Sequence, residues 1–255
     1  MISFTGSTEV GIQIQQQAAQ TIKRVSLELG GKSAHIVCDD VDLKKTIPMA
    51  INQCFINSGQ SCSAPTRLLV PRNKLGEVKE IALEHIKTIN TGDPLDPITD
   101  LGPVVNKKQY NNVQRFIDKG INQSIELLCG GLGRPDKISE GFYIKPSIFA
   151  DVSNKSFLAQ EEIFGPVLVI ICYSNIEEAI SITNDSKYGL SSYISCSNIK
   201  IGYEIAKKIQ AGQTIINKIS RGSVPAPFGG FRMSGNGREH GIHGLEEYLE
   251  IKAII

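Results

Sequence analysis

Cys62 lies in Asn57-Ser58-Gly59-Gln60-Ser61-Cys62-Ser63, between a helix-like run and a strand-like run. Such a junction presents a thiol at the end of a packed element. A free thiol has a pKa of about 8.5, so a catalytic Cys62 needs a helix N-terminus, a donor or a cation beside it. Its neighbours Ser61, Ser63, Ala64 and Pro65 leave backbone N–H groups accessible, and those groups could also hold an oxyanion. Upstream, Leu27-Glu28-Leu29-Gly30-Gly31-Lys32-Ser33 sets a carboxylate, Glu28, at the end of an apolar strand. Thiol and carboxylate together are the minimum apparatus of nucleophile and general base for covalent carbonyl chemistry. Each also has a plainer reading: Cys62 as an inert half-buried cysteine, Glu28 as a solvated surface carboxylate.

Three further stretches bear on chemistry. Gly6-Ser7-Thr8-Glu9-Val10-Gly11 follows a strand and opens a helix, and its small residues let a phosphate or nucleotide approach the helix N-terminus. It is not the GxGxxG fingerprint. Glu161-Glu162-Ile163-Phe164-Gly165-Pro166-Val167 joins an acidic pair, an aromatic and a turn. Carboxylates bind ribose hydroxyls and a Phe can flank a flat ring; the plainer reading is a helix end leading into a buried strand. Gly31-Lys32-Ser33 mimics the end of a phosphate-binding P-loop, but the glycine required five positions before Gly31 is Ser26.

The elements that must position these residues alternate. Strands are expected at Met1–Thr5, Val25–Leu29, Ala34–Cys38, Arg67–Val70, Phe164–Tyr173, Ser191–Cys196 and Thr214–Asn217. Helices are expected at Glu9–Thr21 (capped by Ser7 or Thr8), Leu43–Ile56, Lys74–Asn90, Lys107–Gly120, Ile176–Asn184 and Ile199–Ile209. This alternation predicts an α/β protein with a largely parallel sheet. Tyr248–Ile255 alternates and is apolar, so it is expected to be a strand paired with a neighbouring subunit.

Bulk properties exclude some classes. A net charge of +1 without a basic block argues against nucleic acid as the main partner. No apolar run reaches the roughly 18–20 residues needed to span a bilayer, and no signal peptide is legible. Membrane association is not expected, and the compartment expected is a reducing cytoplasm. Six dispersed cysteines then read as free thiols, with Cys38, Cys172 and Cys196 as small buried hydrophobes at strand ends. No metal site is expected. Cys and His lack ligand spacing, and Gly241 and Gly244 break the helix that would align His240 with His243.

In their order along the chain, these motifs, with Asn184-Asp185-Ser186-Lys187-Tyr188-Gly189-Leu190 and Pro227-Phe228-Gly229-Gly230…Ser234-Gly235, resemble the NAD(P)-dependent aldehyde dehydrogenase superfamily. The resemblance runs from Met1 to Ile255. It implies that Cys62 is the nucleophile, attacking an aldehyde to give a thiohemiacetal that loses hydride to NAD or NADP. Glu28 would be the base that activates water to hydrolyse the thioester. Gly6, Ser7 and Gly11 would lie beside the cofactor, Leu29 near the nicotinamide amide, Glu162 on the nicotinamide ribose, and Phe164 against the ring. It further implies a remnant of a Rossmann-type cofactor domain at 1–30, a catalytic domain at 31–230, and a C-terminal segment with an oligomerisation strand at 231–255. In the family most of the cofactor domain, with its oxyanion Asn and adenosine-ribose Lys, precedes the Gly-Ser-Thr-Glu-Val-Gly motif, whereas here five residues do. The chain is therefore expected to be a C-terminal half with impaired activity alone, partnered by an aldehyde, by copies of itself and by a separate N-terminal half. The alternatives are a non-catalytic oligomer or interaction module, and a cofactor-independent esterase built on Cys62 and Glu28. A glyceraldehyde-phosphate-type dehydrogenase ranks below these, because none of the four histidines lies in a motif near Cys62. Substrate choice is expected to rest partly on the loop around Lys218–Pro227.

Overall fold

The computed structural model describes residues 1–218 and 223–255. Part of the expected substrate loop, 219–222, lies outside the described residues. The chain runs β1 (Ile2–Thr5), α1 (Thr8–Ala19), β2 (Val25–Glu28), β3 (Ala34–Val37), α2 (Leu43–Phe55), β4 (Arg67–Pro71), α3 (Leu75–Ile86), α4 (Lys107–Asn122), β5 (Leu127–Cys129) and β6 (Ser147–Phe149). It continues through α5 (Phe157–Gln160), β7 (Val167–Tyr173), α6 (Ile176–Asn184), β8 (Ser191–Ser195), α7 (Ile199–Lys208), β9 (Gln213–Ile216), β10 (Gly235–Asn236) and α8 (Gly241–Glu246).

Seven strands form the larger sheet in the order β5-β6-β7-β4-β3-β8-β9. All its pairs are parallel except β5 with β6. Every residue of β7 is buried, as a strand covered on both faces requires. Alternate side chains feed two cores. Ile36, Leu69, Val169 and Ile194 point to the face covered by α4, α6 and α7. Val37, Leu68 and Ile170 point to the face covered by α2 and α3. In the smaller sheet β2 is central, parallel to β1 and antiparallel to β10. Residues from 1–30 and 231–255 thus share one sheet.

Ser7 is the cap of α1, its Oγ accepting from Val10 N–H at 3.4 Å. Three expected elements depart furthest from the structure. The helix expected to reach Asn90 stops at Ile86. Asn90 is drawn away from it, donating its N–H to Asp100 and accepting from the Asp100 and Leu101 amides. The strand expected from Phe164 begins at Val167, because Phe164 has φ +56° and Pro166 has no N–H to give. Tyr248–Ile255 forms no strand in this chain. Arg24 holds the carbonyls of Glu247 and Leu249, after which Ile251, Ile254 and Ile255 stand in solvent. Cys38, Cys172 and Cys196 are buried free thiols. Among the described residues no helix is long and apolar enough to cross a membrane.

Candidate active site

A cavity of about 1110 Å³ opens between the carboxyl ends of β1 and β2 and the segments that lead into β4 and β7. Carboxyl ends of parallel strands are where open α/β sheets present ligands. Seven of the eight expected site residues line it: Gly6, Ser7, Glu28, Leu29, Cys62, Glu162 and Phe164. Gly11 does not. It is buried in α1, where a Cβ would meet the Leu29 side chain at 2.6 Å, so its contribution is room for Leu29 to pack.

The loop before Cys62 is wound left-handed. Asn57, Ser58 and Gly59 have φ of +52°, +55° and +73° in succession. This conformation is disfavoured for L-residues and persists only where the surroundings impose it. Two contacts do so. Ser58 Oγ donates to the Gly102 carbonyl at 2.7 Å. Gly59 lies against the Gly165 carbonyl, which a Cβ would meet at 2.1 Å. Beyond Cys62, the Ser63 carbonyl accepts from the Tyr193 hydroxyl at 3.0 Å, which ties the loop to β8. Burial raises the Cys62 pKa, and the charges of Glu162 and Glu28 add to it. The backbone N–H groups of Cys62 and Ser63 oppose the rise. Of the three kinds of help considered from sequence, the structure thus supplies backbone donors.

Glu28 is not a solvated surface residue. It ends β2, is 4% exposed, and neither carboxylate oxygen has a hydrogen-bond partner among the described residues. Burial pushes its pKa up to about 8, with Glu239 adding to the rise and Arg238 opposing it. A carboxyl tuned in this way takes a proton near neutral pH, which a general base must do.

Glu162 is half-buried, and one oxygen accepts from Gly31 N–H at 3.1 Å. Burial raises its pKa, while the Gly31 N–H and the Lys32 ammonium hold it down. A Cβ on Gly30 would fall 1.9 Å from the second carboxylate oxygen, so any larger residue there forces the Glu162 carboxylate to move. Lys32 is buried and its Nζ has no partner among the described residues. Burial and then the Arg67 charge lower its pKa to about 7. Arg67 itself is buried and satisfied, donating to the carbonyls of Lys32, Ile182 and Thr183 and to the Asn154 side chain.

Sequence reasoning missed one wall. Asn106, Lys108, Gln109, Asn111, Asn112 and Arg115 line the cavity from α4 and its cap. Their spacing at three and four residues makes one polar stripe, but a stripe facing a cavity reads like one facing water. Gln60, two residues before Cys62, was equally silent; its Oε1 accepts from Val105 N–H at 2.9 Å.

The family model described as "Aldehyde dehydrogenase family" matches residues 1–254. A Pseudomonas 3-succinoylsemialdehyde-pyridine dehydrogenase is 46% identical over all of this chain and 53% of its own length. Among solved structures, aldehyde dehydrogenase C of Pseudomonas syringae, a cysteine-to-alanine variant with NAD+ and octanal, is 46% identical with a TM-score of 0.97. That match covers 100% of this chain and 52% of the other. A Mycobacterium tuberculosis aldehyde dehydrogenase with NAD+ is 43% identical, TM-score 0.93, over 96% and 50% of the two chains. The chain spans about half the length of the relatives it matches.

Proposed function

The chain belongs to the aldehyde dehydrogenase family, and from that membership we propose that its cavity oxidises an aldehyde to a carboxylic acid through a covalent Cys62 intermediate. The observation that carries this reading is the convergence of Cys62, Glu28 and Glu162 on one cavity, with Glu28 buried and without a partner among the described residues. Cys62 Sγ attacks the carbonyl carbon, forming a C–S bond, and the oxygen takes a proton. Loss of a hydride from carbon and of the hydroxyl proton to solvent converts the resulting thiohemiacetal into a thioester. Glu28 then removes a proton from water as the water attacks that thioester, and the thiolate leaves. The carboxylic acid is released and the thiol is restored.

The residues fit the nicotinamide end of NAD or NADP. Among the described residues Glu162 keeps one oxygen unbonded, able to accept from a ribose hydroxyl, Gly30 leaves the space that carboxylate fills, and the Phe164 ring is exposed to the cavity. Bound there, the nicotinamide ring supplies the hydride acceptor. Gly6 and Ser7, at the start of α1, lie where a phosphate would be favoured. Relatives are about twice as long, so we assign the remaining cofactor contacts and the oxyanion donor to the part of the family that this chain does not span, and expect weak turnover without it. The same reading implies a reducing, cytoplasmic setting, in which Cys62 stays a thiol.

The test mixes the protein with an aldehyde and NAD or NADP, alone and with the N-terminal half of a relative, and follows reduced nicotinamide absorbance and intact mass. Turnover should be weak for the chain alone, rise with the added half and vanish in Cys62→Ala. Glu28→Gln should stall as an acyl adduct on Cys62. Strong turnover by the chain alone would refute the need for the other half, and turnover by Cys62→Ala would refute the mechanism. A second reading, an association module, is favoured by the exposed Ile251, Ile254 and Ile255. It predicts a homo-oligomer on a sizing column that Ile251→Asp and Ile254→Asp dissociate.

A further inference from the structure

Phe164 occupies a conformation that an aromatic residue avoids, with φ +56°. A bulky side chain in this region marks a place where neighbours dictate the backbone. The neighbour is Gln109, whose single Nε2 donates to the carbonyl of Ile163 at 2.9 Å and to that of Phe164 at 2.7 Å. Two successive carbonyls can converge on one amide only where the chain turns sharply between them. Gln109 is in turn fixed by its own backbone, its N–H donating to Asn106 Oδ1, the cap of α4, at 2.9 Å. The residue before that cap, Val105, gives its N–H to Gln60 Oε1 on the thiol loop. One helix start therefore carries the thiol loop through Gln60 on one side and the Phe164 turn through Gln109 on the other.

We propose that Gln109 is a positioning residue that fixes the Phe164 turn, and that with Gln60 it sets the spacing between Cys62 and the Glu162–Phe164 edge of the cavity. This rests on the reading of Glu162 and Phe164 as the cofactor-facing edge. Gln109 acts through two hydrogen bonds and not by filling space, so an apolar side chain of its length cannot replace it, whereas another N–H donor of similar reach can.

The chain has no tryptophan, so Phe164→Trp places a single indole on the turn that can be excited apart from the tyrosines. In that background Gln109→Met and Gln109→Glu should raise iodide quenching at least threefold and lower anisotropy, and Gln109→Lys should stay near the parent. Equal quenching in all four proteins, or a Met variant that matches the parent while Lys does not, overturns the proposal. NAD affinity, measured in the same variants without the Phe164 change, should fall at least tenfold for Met and Glu. Absence of NAD binding by the parent would count against the functional reading alone, because the quenching arm needs no cofactor.

Discussion

Replacing Glu28 with Gln should alter stability in a pH-dependent way. Glu28 is buried with no partner on either oxygen among the described residues, and its pKa is moved from the ordinary 4.5 to about 8. The folded state therefore keeps a proton that the unfolded chain gives up between these two values. Stability falls with pH wherever the folded state binds more protons. Glu28 thus costs nothing below about pH 4.5, and its cost grows through the window up to about pH 8 and is constant above it. Each pKa unit corresponds to about 1.36 kcal/mol, so ionised Glu28 destabilises the fold by up to about 5 kcal/mol. Glu28→Gln removes the titration and keeps the shape. Urea unfolding of parent and variant at pH 5 and pH 9 isolates the effect, because any fixed cost of the buried amide cancels in the difference. The variant should gain several kcal/mol relative to the parent at pH 9 over its standing at pH 5. A parent–variant difference that is the same at both pH values would refute the burial argument. The same shift leaves about one Glu28 in ten ionised at pH 7, so thioester hydrolysis should climb tenfold as the solution passes pH 8.

Three other outcomes follow from single contacts. Burial and the Glu162 charge raise the Cys62 pKa, so iodoacetamide alkylation should still be accelerating above pH 8.5, and Glu162→Gln should speed it severalfold at pH 8; a plateau below pH 8 in the parent would contradict this. Gly30→Ala drives a Cβ into the Glu162 carboxylate and should break its bond to Gly31, a charged hydrogen bond worth roughly 1.5–3 kcal/mol, so the urea midpoint should report a loss of that order and NAD affinity by calorimetry should drop at least tenfold. Arg67→Leu strands the Lys32, Ile182 and Thr183 carbonyls and the Asn154 side chain, and the urea midpoint should report a loss of about 4 kcal/mol or more; a loss under about 1 kcal/mol would show that water replaces the guanidinium.

Sequence carried the repeating architecture well where periodicity and caps agree. Ile176–Asn184 is the helix expected to the residue, because Asn175 caps it and Asp185 closes it. It carried less where a distant partner decides. Asn90 leaves its helix for Asp100, and β10 is two residues, too short for any pattern, that pair with β2 from more than 200 positions away. The Glu28 carboxylate packs against Gly229, where a Cβ would lie 2.7 Å from it, and feels the charges of Glu239 and Arg238. Nothing local in Leu27-Glu28-Leu29 distinguishes that from an exposed strand end. The α4 wall stayed hidden because a polar helix face has one composition whether it meets bulk water or a cavity.

The cavity takes residues from segments entering β4 and β7 and from the Leu29–Gly30 turn that leads toward β3, never from where those strands leave the sheet. The exits after Val37, Pro71 and Tyr173 are the exposed turns Asp39–Asp40, Arg72–Asn73 and Ser174–Asn175. A strand of five residues such as β4 puts about 16 Å between its two ends. These exits are therefore natural attachment points: a fluorophore, an affinity peptide or a surface-immobilising cysteine grafted at Asn73 or Ser174 would give the chain a handle without entering the chamber that Cys62 lines.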